Sequence, residues 1–147
     1  MILDTIWGDV YYIFLLFCCG FAVFRGGRSE YIGAAIMIVG SLFTLATARS
    51  FGTSWTRMEV GIFAIDIIVL TGFLWLALTS DRFWPIWVSA FQLLAVTIHM
   101  AMIMALPVTP WAFGTGAVFW AYPMLLALAI GSLEHVPMRP VPKIESG

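Results

Sequence analysis

Four side chains stand out in this 147-residue chain by type and surroundings: Asp66, His99, Gln92 and Glu59. A carboxyl group can hold or release a proton, an imidazole titrates near neutrality, and an amide offers both donors and an acceptor. Asp66 sits in Ala64-Ile-Asp-Ile-Ile-Val-Leu70 and His99 in Ala95-Val-Thr-Ile-His99, both strongly apolar stretches. An ionised Asp at the centre of a membrane helix costs about 2.5–3.5 kcal/mol on insertion scales, so such groups turn toward protein or water. Glu59 and Asp66 are seven residues apart, and so are Gln92 and His99. A spacing of seven returns to the same helix face, and Ser89 extends the second stripe.

Depth can be read from the turn at Asp81. Asp66 lies 15 residues before it and His99 lies 18 after it. A difference of three residues is about 4.5 Å of helical rise, so the two can sit at nearly one level on adjacent helices. Gln92 is 11 residues after the turn and Thr71 is 10 before it. The expectation is a polar seam between the third and fourth helices. In it Asp66 bonds to His99, Gln92 lies near Thr71, and Glu59 sits at the outer edge. Such a seam can serve as glue between helices, as a proton relay, ion pathway or solute contact, or as a ligand set for a metal, haem or pigment.

The elements that carry these residues follow from composition. Hydrophobic residues make up 62% of the chain and charged residues 10%, with a mean hydropathy of +1.00. Soluble domains average about 45–50% apolar and about 25% charged, so too few charges are present to cover a water-exposed surface. Disorder needs the opposite composition. Seven basic and eight acidic residues give a net charge of −1 and no basic patch for nucleic acid. The class that remains is an all-α polytopic membrane protein.

A helix needs about 20 apolar residues to cross the hydrocarbon core, and five stretches qualify. They run over about 6–24, 31–48, 60–79, 83–106 and 111–133. Arg-Gly-Gly-Arg-Ser-Glu, the segment around Gly52, Ser80-Asp-Arg82 and Pro107-Val-Thr-Pro110 separate them. Links this short imply antiparallel neighbours in one bundle. Pro85 suits a first helical turn, whereas Pro123 is expected to kink the fifth helix. The segment 134–147 contains three prolines and reads as an extended cytoplasmic tail. The opening Met-Ile-Leu-Asp-Thr-Ile-Trp lacks the positive region of a cleaved signal, so the first helix is expected to stay.

Placing the N-terminus outside puts Arg25, Arg28, Arg82, Arg139 and Lys143 on the cytoplasmic side, against Arg49 and Arg57 outside. That is the orientation the positive-inside rule favours. Trp7, Trp55, Trp84, Trp87 and Trp111 fall near span edges, as belt anchors do, and Trp120 reads as a packing residue. Gly33, Ala34, Gly40, Ser41, Gly114 and Gly116 mark places where helices can approach. Ser41 and Thr44 can bond back to their own helix. Cys18 and Cys19 are helical neighbours that point about 100° apart, so they cannot bridge and read as space-filling thiols.

No P-loop, GxGxxG, HExxH or CxxC pattern occurs. Every loop is about ten residues or shorter, and no enzyme is expected. His135 lies beyond the fifth span, at a different depth from His99, which argues against a haem held between the two. Ala95-x-x-x-His99 does match the small-x-x-x-His spacing of light-harvesting pigment sites.

The segments Glu59-Val-Gly-Ile-Phe-Ala-Ile-Asp66 and Ser80-Asp-Arg-Phe-Trp-Pro-Ile-Trp87, with Gln92 and His99, resemble a group of small, uncharacterised integral membrane proteins of alphaproteobacterial type. The resemblance spans most of the chain. It implies a bacterial inner membrane and no activity, so no functional residue is carried over.

The leading expectation is a non-catalytic accessory, scaffold or assembly partner of a membrane complex. Its partners would be lipid and other integral membrane proteins or a second copy, and it would need no metal or cofactor. The rival is a small proton-coupled transporter or channel using Asp66 and His99. A third reading is a haem or chlorophyll-type pigment binder through His99.

Overall fold

The computed structural model describes residues 2–51, 55–104 and 119–133, with side chains over 9–50, 60–101, 103–104 and 119–133. Among these residues the chain is helical and holds no strand. The helices are α1 (Ile2–Arg25), α2 (Arg28–Phe51), α3 (Trp55–Thr79), α4 (Trp84–Ile103) and α5 (Ala121–Leu133). The stretches 28–50, 60–79 and 84–101 are long and apolar enough to cross a membrane.

The first three helices begin before their apolar stretches, α1 at Ile2, α2 at Arg28 and α3 at Trp55. Arg28, Ser29 and Glu30 form the first turn of α2, and Trp55 opens α3. Charged residues are tolerated at such ends, and Glu30 suits the positive N-terminal end of α2. The fifth element is not a continuous helix. Trp120 is in a turn and α5 begins at Ala121, which places Pro123 in its first turn rather than its interior. Phe119 is helical as well, so the helix is interrupted at Trp120, three residues before Pro123, where the missing N–H and the ring disturb the helical hydrogen bonds. Residues 111–118, the tail 134–147 and the side chains of Trp7, Trp55 and Glu59 lie outside the described residues.

The helices pack as a ring in chain order. Each touches the next, α5 closes on α1, and α2 meets α5 across the middle. Side-chain contacts fix the α2–α3 register. Gly72 faces Ile36, Gly40 faces Val69, and Gly61 faces Thr47, a regular antiparallel ladder along one interface. The Tyr11 hydroxyl and Ser41 Oγ hydrogen-bond at 2.8 Å and tie α1 to α2. Ser41 therefore bonds to a neighbouring helix.

The core is Leu15, Cys18, Cys19 and Ala22 of α1, Ala34 and Met37 of α2, Phe73 and Leu76 of α3, Trp84 and Val88 of α4, and Met124, Leu125 and Leu128 of α5. Both cysteines are free and buried within it. Trp120 stacks on Phe91, with ring centroids 6.1 Å apart. Trp87 is exposed, as a belt residue would be, but Trp84 is only 4% exposed. The anchor role expected for Trp84 does not hold, because glycines on two other helices open a slot for its ring.

Candidate functional site

The site rests on the buried face of α4. Pro85, Val88, Ser89, Gln92, Ala95, Val96 and His99 are all buried, at the three-and-four spacing of one helix stripe. This stripe sends Gln92 and His99 toward α3, where Asp66 is half-buried.

Asp66 meets both of them. His99 Nε2 lies 3.3 Å from Asp66 Oδ2, with the imidazole side chain 8% and the carboxylate side chain 17% exposed. Gln92 Nε2 donates to Asp66 Oδ1 at 2.9 Å and also approaches the Asp66 backbone carbonyl at 3.2 Å. The register explains the double contact. Relative to the turn at Asp81, Gln92 falls four residues short of the Asp66 level and His99 three beyond it. Those offsets are about 6 and 4.5 Å of rise, so one carboxylate is bracketed by two side chains reaching from opposite directions.

The expected pairing of Gln92 with Thr71 is not formed. The Thr71 hydroxyl donates to the Ile67 carbonyl of its own helix at 2.8 Å, and Thr71 is exposed. Depth alone had matched the two residues. Five residues past Asp66, Thr71 is turned about 140° round the helix from it, away from α4. Ser89 belongs to the buried stripe, but its hydroxyl donates to the Pro85 carbonyl at 2.8 Å. Glu59 lies on α3, two turns from Asp66, and its side chain is outside the described residues.

Chemically, Asp66 and His99 can hold one proton between them. On the imidazole it makes an ion pair; on the carboxyl it makes a neutral pair. In a low-dielectric interior the balance depends on the hydrogen bonds each form receives. Gln92 donates to the carboxylate and fixes Oδ1, which leaves Oδ2 toward His99. Asp66 and His99 supply two ligand types for a metal, but no group of three or more His, Cys, Asp or Glu residues assembles among the described residues. A haem or pigment ligated through His99 Nε2 would have to take that atom from Asp66.

A second polar cluster escaped the sequence reading. Glu30 is 1% exposed at the start of α2, and Trp84 Nε1 donates to its Oε1 at 3.0 Å. Glu30 stood in a segment read as turn chemistry, and Trp84 had been assigned to an interface. A signal was present, since Gly27-Arg-Ser-Glu30 has the spacing of a capping box, with glycine as the cap. The Gly27 N–H donates to Glu30 Oε2 at 2.8 Å, which is the backbone contact that such a box predicts.

No protein-family model, curated protein or solved structure matches the chain.

Proposed function

We propose that the chain is a small integral protein of a bacterial inner membrane, with a non-catalytic role as an accessory, scaffold or assembly partner of a membrane complex. In this reading it crosses the bilayer five times, with the N-terminus periplasmic and the C-terminus cytoplasmic. The observation that carries it is the distribution of polarity. Phe17, Phe24, Phe43, Ile68 and Leu78 are exposed on the outer faces of the helices, whereas Glu30, Gln92 and His99 are buried. A monomer in water rarely exposes apolar patches beyond about 300–600 Å², but lipid accepts such a surface. The inward polar groups bond to one another across helices, as interhelical glue does. At 13 residues, α5 is about 20 Å long, so the fifth crossing also draws on the apolar sequence before it.

The test is affinity capture of the full chain after mild detergent extraction, followed by mass spectrometry. Co-purification of a larger membrane complex in fixed stoichiometry is expected. Migration alone, or as a pure homo-oligomer, would overturn the proposal. Reporter fusions at each terminus test the orientation separately.

A specific observation also favours a second reading, in which the chain is a proton-coupled transporter or channel. The Asp66–His99 contact of 3.3 Å can share a proton, and the carboxylate side chain remains 17% exposed. On that reading, Asp66→Asn abolishes proton flux in reconstituted vesicles carrying a pH-sensitive dye while expression stays intact. Equal flux in the variant and the parent chain would remove it.

A further inference from the structure

The Glu30 cluster lies at the opposite end of α4 from His99. Its donors come from three parts of the chain. Gly27 in the α1–α2 link donates its N–H, and Trp84 at the start of α4 donates its indole N–H. Arg82 in the α3–α4 link places Nε 3.7 Å from Glu30 Oε1, with its own side chain 29% exposed. All three are donors, so they suit an ionised carboxylate with both oxygens free to accept.

The indole that Glu30 holds occupies a slot with no spare room. A Cβ built on Gly33 of α2 would lie 2.3 Å from Trp84 Cη2, and one built on Gly131 of α5 would lie 2.3 Å from Trp84 Cδ1. Two helices thus admit the ring only because each carries glycine at the contact. The same ring lines an apolar groove of about 330 Å³ between α4 and α5, together with Trp87, Phe91, Pro123, Leu126 and Ile130.

We propose that Glu30 is a latch: its carboxylate holds Trp84 in the glycine slot, and loss of that acceptor lets the indole leave, so that the slot opens into the groove between α4 and α5. Shape alone does not hold the ring in place, since the groove gives it a way out on one side. The bond to Oε1 and the packing on the two glycines act together. A glutamine at position 30 keeps one acceptor oxygen but turns an NH₂ group toward one of the donors, which leaves that donor unpaired in a buried site.

The experiment uses the full chain in detergent micelles, with 5-fluorotryptophan at all seven Trp positions. Fluorine NMR reads each indole, and Trp84→Phe assigns the Trp84 signal. A doxyl-labelled fatty acid in the micelle broadens indoles that reach the apolar phase. In the parent chain, Trp84 should broaden much less than Trp87. In Glu30→Gln, the Trp84 broadening should rise severalfold to match Trp87, with the other signals in place. Gly33→Ala keeps Glu30 but fills the slot, and it should move the Trp84 signal in the same way. An unchanged Trp84 signal in Glu30→Gln would overturn the latch. If Glu30→Gln disturbs all seven signals, Glu30→Asp, which keeps the carboxylate but draws it back from the indole N–H, decides. Release of Trp84 alone supports the latch, and a general disturbance in that variant as well overturns it by making the cluster a part of overall stability.

Discussion

Replacing Gln92 by Leu should measure how strongly α3 and α4 are joined at Asp66. The substitution removes the 2.9 Å bond to Asp66 Oδ1 and the 3.2 Å contact to its carbonyl, leaving His99 at 3.3 Å. Depriving a buried acceptor of its donor costs about 1–3 kcal/mol, and the residual exposure of Asp66 favours the lower half of that range. Asp66→Leu should cost more, because it strands the His99 imidazole and leaves the Gln92 amide only the backbone carbonyl at position 66. The double variant removes the pair together, so its cost should fall short of the sum of the single costs. Double-mutant cycles in a membrane protein average about 0.6 kcal/mol with a maximum near 1.7. Only the 2.9 Å side-chain bond belongs to both variants, since the Asp66 carbonyl survives Asp66→Leu, so a coupling of about 0.6 kcal/mol is expected on that scale. The assay is reversible unfolding by dodecyl sulfate in mixed micelles, followed by far-UV circular dichroism. A coupling below about 0.3 kcal/mol, the scatter of independent sites, would refute the claim that Gln92 and Asp66 act as a unit.

Thr71→Val should change stability by less than about 0.5 kcal/mol in the same assay, because its hydroxyl serves its own helix. Gly61→Ala should destabilise the α2–α3 contact, since the added Cβ would lie 2.6 Å from Thr47 Cγ2; Thr47→Ser removes that methyl and should restore much of the loss. Tyr11→Phe removes one interhelical hydrogen bond to Ser41 and should cost about 0.6 kcal/mol, the membrane average. Cys18 and Cys19 should resist a bulky maleimide in the folded protein and react after dodecyl sulfate denaturation, with mass spectrometry counting the adducts.

The Asp66–His99 contact was legible because two quantities fix it: an apolar hairpin with a sharp turn at Asp81, and a constant rise per residue. The error over Thr71 came from using that rise without the rotation that accompanies it. Gln92 had the better partner in Asp66, four residues off level but on the correct side of α3, and a side chain with three rotatable bonds covers that difference. Helix ends were less legible than helix centres. Arg28, Ser29 and Glu30 look like loop by composition, yet they fold as the first turn of α2. Trp84 shows a different limit. An indole beside a turn has the same local sequence whether it faces lipid or a slot, and what decides between them is the absence of side chains at Gly33 and Gly131, about 50 residues away on either side.

The polar contacts of α4 reach backward in the chain: Gln92 and His99 to Asp66 on α3, and Trp84 to Glu30 on α2. During synthesis, then, both acids leave the ribosome before the α4 side chains that bond to them. In a bilayer they would wait near the insertion machinery until the fourth segment arrives. A chain stopped just before α4 should for that reason be a favoured target of quality-control proteolysis.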